Sequence, residues 1–172
     1  MIMYYYNELT ITMKNKMTAE TAIHAAKEAL ITTAIKEYCN GEFAKFADSL
    51  FVKKNAIHCG DEAAIYGDSY EQVLPEILKA LAAQGNEFSG NSYWYSDYDT
   101  EWWEFSFDGK ELMITSTRHN VDDEPACSQC EDSGYFGEDE EGYLVCTECG
   151  HRISKEDFFA ACEVIKVEKI AF

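Results

Sequence analysis

Trp102-Trp103-Glu104-Phe105-Ser106-Phe107-Asp108-Gly109-Lys110-Glu111-Leu112-Met113-Ile114-Thr115 alternates large apolar residues with polar ones on both sides of an Asp-Gly pair. Alternation with period two places every second side chain on one face of a strand, and Asp-Gly supports the positive backbone angles of a tight hairpin turn. A two-residue turn opposes Phe105 to Leu112 and Trp103 to Ile114. Trp103, Phe105, Phe107, Leu112 and Ile114 then share one face, which is expected to be core. The opposite face, with Trp102, Glu104, Ser106, Glu111, Met113 and Thr115, is expected to be a mixed acidic and aromatic surface. Tyr93-Trp-Tyr-Ser-Asp97-Tyr-Asp99 interleaves rings and carboxylates in the same way and supplies a third strand.

Upstream, residues 2–13 are β-prone through Tyr4-Tyr5-Tyr6 and Leu9-Thr-Ile-Thr-Met13. Thr18 is placed to cap a helix over about 19–38, where Ile23, Ala26, Leu30, Ala34 and Tyr38 recur at helical spacing, and Asn40-Gly41 ends it. A second helix is expected over about 42–53 with Phe43, Phe46, Ala47, Leu50 and Phe51 as its buried stripe. Two short strands, Ala56–Cys59 and Ala63–Tyr66, flank Gly60-Asp61. Ser69 and Gln72 form a capping box for a third helix to about Gln84, which Pro75 kinks or starts. Ser154 and Asp157 cap a short C-terminal helix through Phe158, Phe159 and Cys162, and Val164 to Ile170 suit a closing strand. The fold class expected is therefore α+β, with N-terminal helices packed on an antiparallel sheet and a C-terminal four-cysteine zinc ribbon. The expected division is a body over 1–120, the ribbon over 121–153, and a segment, 154–172, that packs back on the body.

Two Cys-x-x-Cys pairs, Cys127-Ser-Gln-Cys130 and Cys146-Thr-Glu-Cys149, stand fifteen residues apart. Each pair presents two thiolates to one ion, and an intervening hairpin brings the second pair onto the first. Zinc is the metal expected, with a rubredoxin-like iron site or a redox pair as the competing readings. Four protein sulfurs leave no open position for water or substrate, so the metal is expected to be structural. Cys39, Cys59 and Cys162 bring the total to seven, which does not suit a disulfide framework. The opening Met1-Ile-Met-Tyr-Tyr-Tyr lacks the basic and long apolar regions of a secretory signal, and no stretch is long and apolar enough for a membrane span. A cytoplasmic location is expected.

The chain carries a net charge of −18 together with 47% hydrophobic and 14% aromatic residues, a composition that excludes a disordered protein. Residues 1–60 hold seven Lys/Arg against six Asp/Glu, whereas residues 61–172 hold seven against twenty-six. Such a field repels phosphates and attracts basic protein surfaces.

The cysteine segment resembles the zinc ribbons of transcription factors of the IIB and IIS types. The resemblance covers residues 127–153 and rests on Cys127-Ser-Gln-Cys130, an acidic hairpin, and Tyr143-Leu-Val-Cys-Thr-Glu-Cys-Gly-His-Arg-Ile153. It implies contact with a large nucleic-acid-handling machine. In the IIS type an acidic pair at the hairpin tip reaches a polymerase catalytic centre; here the tip is Glu138-Asp139-Glu140-Glu141 in a shorter hairpin.

No nucleophile motif, Gly-rich phosphate loop or catalytic metal motif occurs, and adjacent His58 and Cys59 point to opposite sides of a strand. Asp97, Asp99 and Glu101 alternate as in a calcium loop, but Trp102 occupies the position that needs glycine. No catalytic residue is therefore assigned. The expected function is a non-enzymatic inhibitor or modulator of a basic, nucleic-acid-handling protein, sharing the charge character of DNA-mimic antirestriction, anti-CRISPR and nuclease-immunity proteins. Its expected contact residues are Asp97, Asp99, Glu101, Trp102, Glu104, Glu111, Glu138, Asp139, Glu140 and Glu141. The alternative is a transcription accessory factor docking on RNA polymerase through the ribbon.

Overall fold

The computed structural model describes residues 5–14, 18–37, 40–60, 67–96, 99–120, 127–131 and 136–172. β1 (Tyr5–Met13), β4 (Phe88–Ser96), β5 (Asp99–Phe107), β6 (Glu111–Asn120) and β10 (Val164–Ala171) form the long strands of a seven-stranded sheet. The short hairpin β2 (Phe51–Lys53) and β3 (Ala56–His58) completes it, in the order β10-β6-β5-β4-β1-β3-β2. Every neighbouring pair is antiparallel. α1 (Ala19–Glu37), α2 (Asn40–Ser49) and α3 (Gly67–Ala83) are the three larger helices. A separate three-stranded ribbon, β7 (Phe136–Glu138), β8 (Leu144–Cys146) and β9 (Arg152–Ile153), is followed by α4 (Lys155–Ala160). The molecule is thus a mixture of helices and antiparallel sheet, but its helices do not form one N-terminal block. β1 precedes them, β2 and β3 separate α2 from α3, and α4 lies near the C-terminus.

The alternation over 102–115 sorts side chains as expected: Trp103, Phe105, Phe107, Leu112 and Ile114 are all buried. They join Leu9, Ile11 and Met13 of β1, Phe88 of β4, and the inward residues of α1–α3, among them Leu30, Phe46, Leu74, Ile77 and Leu81. The register differs from the two-residue turn. Phe107 pairs with Leu112 and Phe105 with Ile114, a shift of two residues that leaves every side chain on its expected face. The cause is the Asp108 carboxylate, which accepts the N–H groups of Lys110 and Glu111, both at 2.9 Å, and so closes a longer loop with Gly109 at φ +91°.

Other boundaries move for local reasons. The second helix stops at Ser49, whose hydroxyl donates to the Phe46 carbonyl, and Phe51 passes into β2 with its ring exposed. Lys54, at φ +57°, turns that strand into β3. The N-terminus of α1 is capped from a distance. The Asn55 side chain accepts the Ala19 N–H at 3.1 Å and donates to the Met13 carbonyl at 2.9 Å, while the Thr18 hydroxyl meets that of Thr21. Pro75 lies inside α3, where it removes one helical hydrogen bond but continues the chain. Gly90 of β4 lies opposite Ile11 of β1. A Cβ there would lie 1.9 Å from the Thr10 carbonyl oxygen and 2.9 Å from the Phe105 ring, so no larger residue fits.

The expected strand Ala63–Tyr66, the third-strand residue Asp97, and residues 121–125 of the stretch His119–Pro125 expected as the domain boundary lie outside the described residues, whereas His119 and Asn120 of that stretch end β6. No described helix is long and apolar enough to cross a membrane.

Candidate metal centre

The two Cys-x-x-Cys segments form matching turns. The Glu131 N–H donates to the Cys127 carbonyl and the Gly150 N–H to the Cys146 carbonyl, both at 2.9 Å. The residue after each second cysteine takes the left-handed conformation, Glu131 at φ +55° and Gly150 at φ +74°. β8 leads into Cys146, whose N–H donates to the His151 carbonyl at 2.9 Å and ties the second turn to β9. The four sulfurs all lie within 4.8 Å of one another, with 3.6 Å between Cys127 and Cys149 and 3.7 Å between Cys130 and Cys146. A tetrahedron of sulfurs at the ~2.3 Å bond length of zinc thiolates has edges of about 3.8 Å, so the spacing suits one bound ion. Burial disfavours the Cys127 thiolate, but the N–H groups of Gln129 and Cys130 at its sulfur outweigh it and lower the thiol to about 7.

The two turns are not equivalent in strain. Glycine holds the left-handed position at no steric cost, whereas Glu131 holds it at a cost of order 1 kcal/mol. Glu131→Gly is therefore expected to raise metal affinity about threefold or more, and Gly150→Ala to lower it, in competition with a colorimetric chelator.

The ribbon and α4 rest on the outer face of the main sheet. Tyr93, Trp102, Leu144, Phe158 and Phe159 form a second buried cluster, separate from the core beneath the helices. Trp102 stacks on Phe159 with ring centroids 6.0 Å apart and 10° between planes, and the His119 ring meets Phe158 edge-on at 5.1 Å. Lys155 joins the parts. Its ammonium lies 2.9 Å from Glu8 Oε1 on β1, 3.0 Å from Glu138 Oε1 on β7, and 4.2 Å from the Tyr93 ring centroid.

This arrangement distributes the nine described residues of the ten expected contacts very unevenly; Asp97 lies outside the described residues. Glu101 and Trp102, expected at the surface, are only 2% and 7% exposed. Glu101 faces the helices, where its carboxylate accepts from Arg118 Nε at 2.6 Å, and Arg118 also reaches Glu71 of α3 at 2.7 Å. Trp102 is covered by α4. Asp99 is half-buried, and its backbone N–H donates to the Ser96 hydroxyl oxygen at 3.0 Å. Glu104 and Glu111 are exposed. Glu138 to Glu141 do come together at the ribbon, but Glu138 binds Lys155 while Asp139 and Glu141 both bind Arg152, leaving Glu140 as the exposed member without an ion pair among the described residues. Arg152 also covers the Tyr143 ring at 3.9 Å. Arg152 and Lys155 were not singled out from the sequence. The available signal was their isolation, because they are the two cations among ten acids in residues 127–163.

Burial raises the Glu101 carboxyl to about 7, an effect that the Arg118 contacts oppose but do not cancel. A carboxyl that is more basic when folded stabilises the protein fully below its unfolded value, near 4.5, and loses that contribution as pH rises through 7. Glu101→Gln is expected to remove a fall in unfolding free energy on the order of 1–3 kcal/mol between pH 5 and 8, read from denaturant midpoints of the two proteins. Parallel pH profiles would refute it.

Comparison with known proteins finds no matching family model, no similar curated protein and no similar solved structure.

Proposed function

We propose that the four cysteines hold a structural zinc in a ribbon of the transcription-factor type, and that the protein acts by binding a basic, nucleic-acid-handling protein. The observation that carries this reading is the charge left on the metal module once its internal pairs are made. Residues 127–163 contain ten acids and two cations, and both cations are already bound to acids of the same chain. Glu131, Glu140, Glu148, Glu156, Asp157 and Glu163 remain exposed around the module. Four thiolates on a divalent ion add about two further negative charges. This surface suits lysine- and arginine-rich partners and repels nucleic acid, which favours inhibition or modulation of a protein that otherwise grips phosphate.

The structure alters which residues are proposed as contacts. Glu104, Glu111 and Glu140 stay in the set, whereas Glu101 and Trp102 support the fold. The IIS-like use of an acidic tip has weak support, because Arg152 neutralises Asp139 and Glu141.

Affinity capture from the host cell at about 0.1 M and 0.5 M salt tests the proposal, since screening removes most attraction between exposed charges at the higher value. The expected result is a basic nucleic-acid-binding protein retained at low salt and lost at high salt, with Glu140→Lys/Glu148→Lys/Glu156→Lys weakening capture at least tenfold. Capture of RNA polymerase through the ribbon, unaffected by these changes, would replace this reading with the accessory-factor one. Direct binding of duplex DNA would overturn both charge arguments.

A further inference from the structure

We infer that two copies of this chain associate through β10, edge to edge, joining their sheets across a two-fold axis at Val167. β10 is an end strand of the seven-stranded sheet, hydrogen-bonded to β6 on one side and to no described strand on the other. Val164, Ile165 and Val167 are 50%, 48% and 58% exposed, an unusual concentration of aliphatic surface for an edge of eight residues. Unpaired edges of this length are templates for further strand pairing.

The sequence selects the occupant and the register. Antiparallel pairing of β10 with itself about Val167 sets Val167 against Val167. It also sets Lys166 against Glu168 of the second copy, twice by symmetry. Lys166 and Glu168 already share one side of the strand, with 3.2 Å between Nζ and Oε2, so both are positioned to pair across the seam. Moving the axis by one residue in either direction sets Lys166 against Lys166 or Glu168 against Glu168, which is repulsive. The irregularity between Val164 and Lys166, together with the edge lysines, therefore discourages indiscriminate pairing while leaving one complementary register.

Long-range charge agrees with this choice of surface. Residues 61–172 carry twenty-six acids against seven cations, yet Val164–Phe172 carries Lys166 and Lys169 against Glu168, net +1. Two anionic bodies approach one another with least repulsion along this edge. A two-fold axis perpendicular to the sheet keeps the helices of both copies on one face and the ribbons on the other.

Light scattering coupled to size exclusion, at about 100 μM chain and about 0.3 M salt to screen self-repulsion, is the test. The expected mass is twice the 19.6 kDa of the chain. Lys166→Glu is expected to weaken association at least tenfold, and Lys166→Glu/Glu168→Lys to restore it, because the swap rebuilds both cross-copy pairs. Val167→Glu, which sets two carboxylates on the axis, is expected to give a monomer with an unchanged circular dichroism spectrum. A monomeric wild-type chain under these conditions overturns the inference, as does a double variant that dissociates like Lys166→Glu.

Discussion

Cys146→Ser is expected to abolish tight metal binding and to unfold the ribbon while the helix-covered body stays folded. Structural zinc sites contribute on the order of 10 kcal/mol to the segment they fold, far more than three short strands of two or three residues can supply by themselves. The body does not share that dependence. Its core of β1, β4–β6 and α1–α3 forms a cluster separate from the Tyr93, Trp102, Leu144, Phe158 and Phe159 cluster beneath the ribbon. Loss of the ion should therefore leave most helical circular dichroism intact and uncover Trp102, shifting its fluorescence to the red. Elemental analysis of the wild type should find about one zinc per chain, and a coloured, iron-containing protein would instead support the rubredoxin-like alternative. A metal-free protein whose ribbon amides resist hydrogen exchange would sink the assignment.

The contrast between body and ribbon also explains what the sequence reveals. Binary alternation over 102–115 and the stripes of α1–α3 identify the core because burial repeats with the strand or helix period. The four cysteines identify their own cluster because spacing alone brings them within reach of one ion. Both signals are local. The outer face of the sheet is not legible in this way, because the same pattern of Trp102, Glu104 and Thr115 describes a wet surface or a covered one. The decision depends on where α4 lands, and α4 is anchored by contacts across most of the chain, such as Lys155 with Glu8. Glu101 illustrates the same limit. It occupies a core-side position in the alternation, yet its charge suggests surface until Arg118, seventeen residues later, is placed opposite it in the β5–β6 register. The hairpin shift arose from one side-chain interaction, Asp108 capping its own loop, which alternation cannot register.

Lys155→Met is expected to destabilise the docked ribbon by about 2–3 kcal/mol without reducing metal content, somewhat below the usual cost of breaking a fully buried ion pair because both carboxylates retain water. Lys155 is 8% exposed, whereas the Glu8 and Glu138 side chains are 38% and 30% exposed. Its ammonium is the bridge between β1 and β7, and it also covers the Tyr93 ring. Methionine preserves much of the aliphatic packing, so the loss isolates charge. Without the ammonium, two carboxylates from different parts of the fold face each other across the joint. Burial already raises the Glu138 carboxyl, Lys155 holds it down, and Glu8 pushes it up. Removing Lys155 should therefore raise it further and make ribbon docking weaker with increasing pH, because the folded state then favours a proton that the unfolded state releases. Glu8→Gln/Glu138→Gln in the Lys155→Met background is expected to recover a substantial part of the loss and to flatten that pH dependence, since no uncompensated charge remains at the joint. Hydrogen exchange of β7 and β8, with Trp102 fluorescence, reports undocking separately from global unfolding. A Lys155→Met protein within about 0.5 kcal/mol of wild type, with unchanged exchange at β7, would show that aromatic packing holds the ribbon on the sheet and that the buried cation contributes little.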